Sequence, residues 1–329
     1  MTERKYIFSG THIGHNHVKK DKDCEDYSGK CDGKDIKIIA VADGHGSDNY
    51  PRTKSGSRFA VESAIKCVQD FHIKHQNVEY TQDKNWNSAL NELTKEILSL
   101  WEKMVFSDYR AIPFSEEELS KVAEKYKVMY CEEKNIYKAY GSTLIVAAKT
   151  DNFCFGIQIG DGKLVLVDRN DNFFQPIPED VNCFSNVTTS LCDRDALDEF
   201  RTFISFDIPT AIFIGTDGID NSYPNVDDFY GLYKSIINIY SDTSINNPNK
   251  EIDDYLPILT KKGSGDDVSI AGIISIAPES EKLKDVSPNY DENLKSSVSE
   301  SDELYIVSVT EVNETELVNN SEININTIL

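Results

Sequence analysis

The sequence predicts an α+β protein built on antiparallel sheet. Short apolar runs rich in β-branched residues occur in both halves of the chain, and amphipathic helical stretches lie between them. Strands and helices do not alternate one by one, as they would around a parallel sheet. Apolar residues make up 39% of the 329 residues, so the chain can bury the core that such a fold needs.

The first half of the chain predicts one strand followed by three helices. Residues 36–42 form a short apolar run that ends in the turn-forming tetrapeptide Asp43-Gly44-His45-Gly46. The first helix is expected to begin near Ser55, and the third is preceded by a capping box formed by Ser115 and Glu118. The apolar stripes that predict the three helices span residues 61–71, 86–104 and 119–129.

The second half returns to strand patterns. Apolar residues alternate with period two over 153–159, and Gly160-Asp161-Gly162 predicts a turn that joins this strand to 163–168 as a hairpin. The other elements predicted here are strands at 142–149, 211–216 and 267–276 and amphipathic helices near 226–240 and 251–261.

Charge and composition exclude several classes of protein. The chain has 34 Lys and Arg against 56 Asp and Glu, a net charge of −22, which predicts no binding to nucleic acid or to an anionic membrane. It contains no apolar run of about 18 residues and no export signal at its start. The seven cysteines form no CxxC pair, so we expect thiols in a reducing, cytoplasmic compartment. All six histidines lie between His12 and His75, which excludes the order of catalytic residues in α/β-hydrolases.

The composition changes near Pro278, and we predict a domain boundary there. Residues 1–278 are expected to form the main folded domain, and 279–329 an acidic tail. Residues 280–329 contain 11 Asp and Glu, three Lys and no Gly, a net charge of −8. Residues 304–312 either add one docked strand or belong to a free tail, and the sequence leaves both open.

Four aspartates lie beside glycine at the ends of predicted strands: Asp43, Asp161, Asp217 and Asp266. If these strands lie in facing sheets, the carboxylates converge at one rim of the core. Carboxylates that close together repel and raise one another's pKa, and divalent cations remove that problem. An all-oxygen ligand set suits Mg²⁺ or Mn²⁺ rather than Zn²⁺.

Six short motifs occur in an order that resembles the metal-dependent protein phosphatases of the protein phosphatase 2C type, in particular their bacterial branch. The resemblance covers about residues 6–277, and its motifs are Cys24-Glu25-Asp26, AVADGHG ending at Gly46, GST at 141–143, GDG at 160–162, TDG at 216–218 and GDDVS ending at Ser269. The resemblance implies a central antiparallel β-sandwich flanked by helices on both faces.

The resemblance also implies a site for two Mg²⁺ or Mn²⁺ ions, and it allows a weaker third. Asp43 matches the aspartate that bridges the two ions, and Gly44 would offer its backbone carbonyl. Asp217 and Asp266 match the remaining direct ligands. The residues that match holders of metal-bound water or of the third ion are Glu25, Asp26 and Asp161.

His45 matches the general acid of this family, and a histidine near its ordinary pKa can donate a proton at neutral pH. The arginine that grips phosphate in eukaryotic members is absent from residues 17–24. The substitutes that the sequence leaves open are His17, Lys19, Lys20 and Lys22. Asp267 stands where many members have Asn, and 107–135 resembles an insertion that shapes substrate access.

The predicted function is metal-dependent hydrolysis of phosphoserine and phosphothreonine in proteins, by a water that two ions activate. The expected partners are phosphorylated proteins, and the resemblance allows a cognate Ser/Thr kinase. One alternative is an inactive member that binds phosphoproteins or a kinase. Another is a phosphatase of a small phosphomonoester or of a signalling switch protein.

Overall fold

Two antiparallel sheets of five strands each pack face to face in the computed structural model, which describes residues 3–75, 86–133, 135–180, 183 and 188–277. The strands are β1 (Arg4–His12), β2 (Tyr27–Asp32), β3 (Lys37–Ala42), β4 (Leu144–Lys149), β5 (Cys154–Ile159), β6 (Lys163–Val167), β7 (Phe173–Phe174), β8 (Arg201–Ser205), β9 (Ala211–Gly215) and β10 (Val268–Ile276). The first sheet has the order β1-β10-β9-β6-β7 and the second the order β2-β3-β4-β5-β8.

Helices cover the outer faces of both sheets. They are α1 (His15–Lys19), α2 (Thr53–His75), α3 (Trp86–Ala111), α4 (Glu116–Ser120), α5 (Glu124–Cys131), a 3-10 helix (Ile136–Tyr140), α6 (Ala196–Glu199), α7 (Asp217–Asp220), α8 (Val226–Ser241) and α9 (Pro248–Lys262). The apolar faces of α2 and α3 pack on the second sheet, and those of α8 and α9 on the first. The predicted α+β class with a central sandwich is therefore confirmed.

A third apolar cluster fills the space between the sheets. It joins residues of β3 and β4, such as Val41 and Ile145, to residues of β9 and β10, such as Ile212 and Ile273. Since helices cover the opposite faces, every residue of β4, β5, β9 and β10 is buried. Burial on both faces explains why these strands appear in the sequence as continuous apolar runs.

The predicted hairpin between 153–159 and 163–168 is wrong. β5 belongs to the second sheet, whereas β6 belongs to the first and pairs with β7 and β9. Gly160 has a φ of +102°, which glycine adopts readily. A Cβ on Gly162 would lie 2.6 Å from the carbonyl oxygen of Gly215 in β9. The turn therefore crosses from one sheet to the other.

The third predicted helix is two short helices, α4 and α5. The capping box is confirmed, because Ser115 accepts from the backbone N–H of Glu118 and the Glu118 side chain accepts from that of Ser115. The chain then leaves the helical path, since the backbone N–H of Ala123 donates to Asn49 Oδ1 at 3.0 Å. A tertiary hydrogen bond thus replaces a helical one.

Strands β1 and β2 have no counterpart among the elements predicted from the sequence. Both are edge strands, and only Phe8 of β1 and no residue of β2 is buried. The apolar pattern that predicts a strand is consequently weak in them. In the part of the chain that the structure describes, no helix is long and apolar enough to cross a membrane. The predicted acidic tail, 279–329, and its strand at 304–312 lie outside the described residues.

Candidate active site

Aspartates from both sheets meet at one rim of the sandwich. Asp43 follows β3 of the second sheet, and Asp217 follows β9 of the first. The Asp43 carboxyl group is in side-chain contact with those of Asp26 and Asp217. Burial, together with the neighbouring carboxylates, raises the pKa of Asp43 and of Asp26 well above the usual range. The rim therefore brings like charges together in a poorly solvated place.

The acidic pair, Glu25 and Asp26, precedes β2 and is held in place by hydroxyl groups. Thr216 donates to Asp26 Oδ2 at 2.7 Å, and Ser57 donates to the backbone carbonyl of Glu25 at 2.6 Å. Glu25 Oε2 is buried and has no hydrogen-bond partner among the residues that the structure describes. Burial raises the pKa of Glu25 to about 7. Such a buried, orphaned oxygen is suited to a cation or an ordered water.

The crossing turn places Asp161 beside Asp217. Burial and the charge of Asp161 raise the pKa of Asp217 to about 6. Asp220 joins this group and is absent from the residues predicted from the sequence. Burial raises its pKa to about 7, and Lys163 Nζ lies 3.9 Å from its Oδ2. The i,i+3 spacing from Asp217 on one helical turn is the signal that could have found it.

Gly44 and Asp266 lie at the edges of the cluster. Gly44 is buried and forms an isolated antiparallel β-bridge with Ser142. A Cβ atom on Gly44 would lie 2.6 Å from the carbonyl oxygen of Glu25. The side chain of Asp266 is 56% exposed, and its Oδ1 lies 4.0 Å from His17 Nε2. The structure thus brings Asp26, Asp43 and Asp217 into contact and leaves Asp266 at the solvent side.

The donor set fits a hydrated divalent cation. Within the described ranges, no three His, Cys, Asp or Glu side chains are arranged to hold a metal ion directly. Mg²⁺ prefers oxygen ligands, usually keeps several waters and takes only one or two carboxylates from the protein. Asp43 and Asp217, which are in contact, supply two such carboxylates. Glu25 Oε2, which has no partner among the described residues, can accept a hydrogen bond from a cation-bound water.

His45 lies on the side of the cluster that faces the 3-10 helix. Its backbone N–H donates to the carbonyl of Gly141 at 3.1 Å, and its ring centroid is 4.7 Å from that of Tyr50. Burial, with a smaller effect of Lys138, lowers the pKa of His45 to about 4. The ordinary histidine pKa expected from the sequence does not hold here, and the imidazole is neutral at pH 7.

The candidate phosphate-binding residues lie in different places. Lys22 Nζ donates to the carbonyl of Gly46 at 2.7 Å, directly beside His45 in the chain. Lys19 and Lys20 are exposed. His17 Nδ1 lies 3.0 Å from Oδ1 of the buried Asp267, so the ring is directed into the acidic cluster.

Helices α4 and α5 form a wall beside the His45 loop, which comprises residues 43–52 and joins β3 to α2. Tyr130 OH donates to the carbonyl of Asn49 at 2.7 Å. The buried Arg52 connects this wall to α2, because its guanidinium donates to Glu118 at 2.7 Å and to Tyr140 OH at 2.8 Å. The predicted insertion is therefore packed against the site rather than separate from it.

One family model and several solved structures are similar to this chain. The chain matches the family model of protein phosphatase 2C over residues 13–257. No curated protein matches it in a sequence search. Among solved structures, PppA, a key regulatory component of the T6SS in Pseudomonas aeruginosa, is 13% identical, with a TM-score of 0.51 over 83% of this chain and 98% of that one. The catalytic domain of the serine/threonine phosphatase PstP in complex with two manganese ions is 11% identical, with a TM-score of 0.49 over 84% of this chain and 100% of that one.

The likeness to PppA concerns the fold alone, and it agrees with the sandwich of two antiparallel sheets. The family match is broader evidence, since it covers more than half of the chain and includes all the acidic motifs except the last. The chain belongs to the protein phosphatase 2C family.

Proposed function

We propose that this phosphatase-family protein hydrolyses phosphoserine and phosphothreonine in proteins and depends on Mg²⁺ or Mn²⁺. The observation that carries the proposal is the buried contact of Asp43 with Asp26 and Asp217. Carboxylates in such contact repel unless cations or protons compensate for their charge. A two-ion phosphatase site provides that compensation and uses it for chemistry.

The residues that would hold two ions directly are Asp43, Asp217 and Asp266, with the carbonyl of Gly44. Glu25 and Asp26 would hold ion-bound water, and Asp161 with Asp220 a weaker third ion. When bound, such ions neutralise charge on the phosphoryl oxygens and lower the pKa of a bound water. Thr216 and Ser57 keep Asp26 and Glu25 in place for this role.

Lys22 is the group that we assign to the substrate phosphate. Its side chain reaches the Gly46 carbonyl, and its charge acts on Glu25. It would bind as a point charge, without the two-pronged geometry of arginine. His17 and Lys19 remain the other candidates from the sequence.

We assign His45 as the proton donor to the departing serine or threonine oxygen. Its pKa of about 4 leaves it neutral in the free protein. The negative charge of a bound phosphate favours the protonated imidazole and raises that pKa. A bound phosphate would in this way favour the protonated form of His45, which is the form that can donate a proton to the leaving group.

The substrates that we propose are phosphorylated proteins, and a cognate Ser/Thr kinase is a further proposed partner. The wall formed by α4 and α5 beside the His45 loop would contact residues around the phosphate. We also propose a cytoplasmic location, which the cysteine pattern of the sequence supports.

The test measures hydrolysis of an aryl phosphate and of a phosphothreonine peptide with Mn²⁺, before and after chelation. We expect both activities to need the ion and to return when it is restored, whereas Asp43→Asn should be inactive on both substrates. Activity that survives chelation contradicts the metal dependence. Hydrolysis of the aryl phosphate but not of phosphopeptides or phosphoproteins would instead favour a small phosphomonoester as the substrate.

A further inference from the structure

Asp267 is a buried carboxylate that contacts three residues of the N-terminal region. Its side chain is 3% exposed. Oδ1 accepts the backbone N–H of Gly14 at 2.6 Å, and Oδ2 accepts that of Glu25 at 2.6 Å. The Nδ1 atom of His17 lies 3.0 Å from Oδ1. One side chain therefore joins the start of β10 to α1 and to the acidic pair.

The segments around these contacts are tightly packed. A Cβ on Gly14 would lie 2.6 Å from the backbone nitrogen of Asp267, so a larger residue does not fit there. The backbone N–H of Asn16 donates to the carbonyl of Gly265 at 2.8 Å. The loop that carries Asp266 is thus attached to α1 on both sides.

Asp267 also sets the direction of the His17 ring. With Nδ1 facing Asp267, Nε2 points between two candidate site carboxylates, 3.9 Å from Glu25 Oε2 and 4.0 Å from Asp266 Oδ1. The imidazole is only 13% exposed, so it has little freedom to turn away. Asp267 thus positions the His17 ring, and this ring in turn lies beside the carboxylates of Glu25 and Asp266.

Aspartate suits this position better than asparagine does. A carboxylate offers one acceptor oxygen to each of the two backbone N–H groups, and its negative charge attracts the nearby imidazole, although His17 Nδ1 makes no hydrogen bond within the described residues. An asparagine has one carbonyl oxygen, and its NH₂ group would face a backbone donor. A buried N–H that loses its acceptor is costly.

We propose that Asp267 is a positioning residue, which acts through the His17 ring and the Glu25 backbone to hold Glu25 and Asp266 at the metal site. This inference rests on the proposed function, because it assigns Asp267 to the support of that same site.

The test measures Mn²⁺ binding by titration with detection of the free ion, in the wild type and in Asp267→Asn, His17→Gln and the double variant. We expect Asp267→Asn to weaken Mn²⁺ affinity by about 10–100-fold, the usual effect of losing such a support. His17→Gln should weaken it less. The double variant should be no worse than Asp267→Asn within a factor of about 3, because both changes remove one arrangement.

Ser275→Ala is the matched control. Ser275 is buried near the far end of β10, the strand that Asp267 precedes, and it accepts a hydrogen bond from Lys149 at 2.9 Å. Its loss should leave Mn²⁺ affinity unchanged. In steady-state kinetics at saturating Mn²⁺, Asp267→Asn should lower kcat more than it changes KM.

Wild-type affinity in a folded Asp267→Asn protein would overturn the inference. If the double variant lost Mn²⁺ affinity by the product of the two single losses, Asp267 would not act through the His17 ring, and that part of the inference would be overturned. If Asp267→Asn does not fold, the Mn²⁺ affinity of His17→Gln becomes the test. An unchanged affinity in that variant overturns the inference. A wild-type protein that binds no Mn²⁺ refutes the proposed function itself, which is a different result.

Discussion

Removal of the Arg52 guanidinium is expected to destabilise the protein strongly. Arg52 is 9% exposed at the beginning of α2. Its guanidinium donates to Glu118 Oε1 at 2.7 Å, to the carbonyl of Ile112 at 2.7 Å and to Tyr140 OH at 2.8 Å. Asp108 Oδ2 lies 3.3 Å away. Arg52→Met keeps the aliphatic part of the side chain and removes all of these contacts.

The size of the effect follows from the exposure of the partners. Breaking a fully buried ion pair by removing one partner costs about 3–5 kcal/mol. The side chains of Asp108 and Glu118 are 27% and 29% exposed, so water can solvate them in part once Arg52 is gone. Tyr140 and the Ile112 carbonyl lose a donor as well. We therefore expect the free energy of unfolding to fall by about 2–3 kcal/mol.

Urea unfolding measures this quantity, and Arg58→Met, on the helix α2 that Arg52 directly precedes, is the matched control. Arg58 is 44% exposed, pairs at 3.6 Å with Glu62 one helical turn away and lies over the Phe59 ring, so its loss should cost less than about 1 kcal/mol. The Arg52→Met midpoint should shift to lower urea with an unchanged m-value. Equal midpoints for the two variants would refute the view that Arg52 attaches α4 to the site.

The remaining predictions concern the acidic cluster and His45. Asp217→Asn should reduce Mn²⁺-dependent hydrolysis to background and weaken Mn²⁺ binding, and normal turnover would remove Asp217 from the site. His45→Ala should lower turnover of a phosphopeptide by about 10²–10⁴-fold but affect an aryl phosphate less, since that leaving group departs without a proton; equal losses would indicate a structural role. Mn²⁺ at 100 times its Kd should raise the free energy of unfolding by about 2.7 kcal/mol, and an unchanged Tm would contradict binding to the folded state. In chelator, stability should fall as the pH rises from about 4 to 6, because the pKa of Asp217, raised to about 6, and the raised pKa values of Asp26 and Asp43 leave the folded protein holding more protons than the unfolded chain. Mn²⁺ should remove this slope, and a metal-free Tm that rises over the same range would contradict the sign.

The parts of the fold that the sequence predicted well are those whose signal is local. Strand β3 is an apolar run that stops at Asp43, and the capping box at Ser115 marks the start of α4 within four residues of chain. Edge strand β2 has no buried residue and hence no such pattern. The turn at Gly160-Asp161-Gly162 has the composition of a hairpin, and only the presence of a second sheet determines that it crosses instead.

The same distinction applies to the site. Asp43 and Asp217 could be predicted because each stands beside glycine at the end of a buried strand. The role of Asp267 depends on contacts with Gly14 and Glu25, 253 and 242 residues away along the chain. The low pKa of His45 likewise depends on its burial in the folded chain. No local pattern carries information of this kind.

The sandwich itself explains why acidic residues gather where they do. At the rim of a sheet the strands end, and an aspartate there faces the core on one side and solvent on the other. The second sheet contributes Asp43, the first contributes Asp217, and the crossing turn contributes Asp161. Burial and the mutual repulsion of these carboxylates raise the pKa of Asp43, so their ionised forms oppose folding when no cation is bound. The contacts that offset this repulsion lie around the cluster, at Asp267 and at the hydroxyl groups that hold the acidic pair, so variants there should change metal affinity before they change the fold.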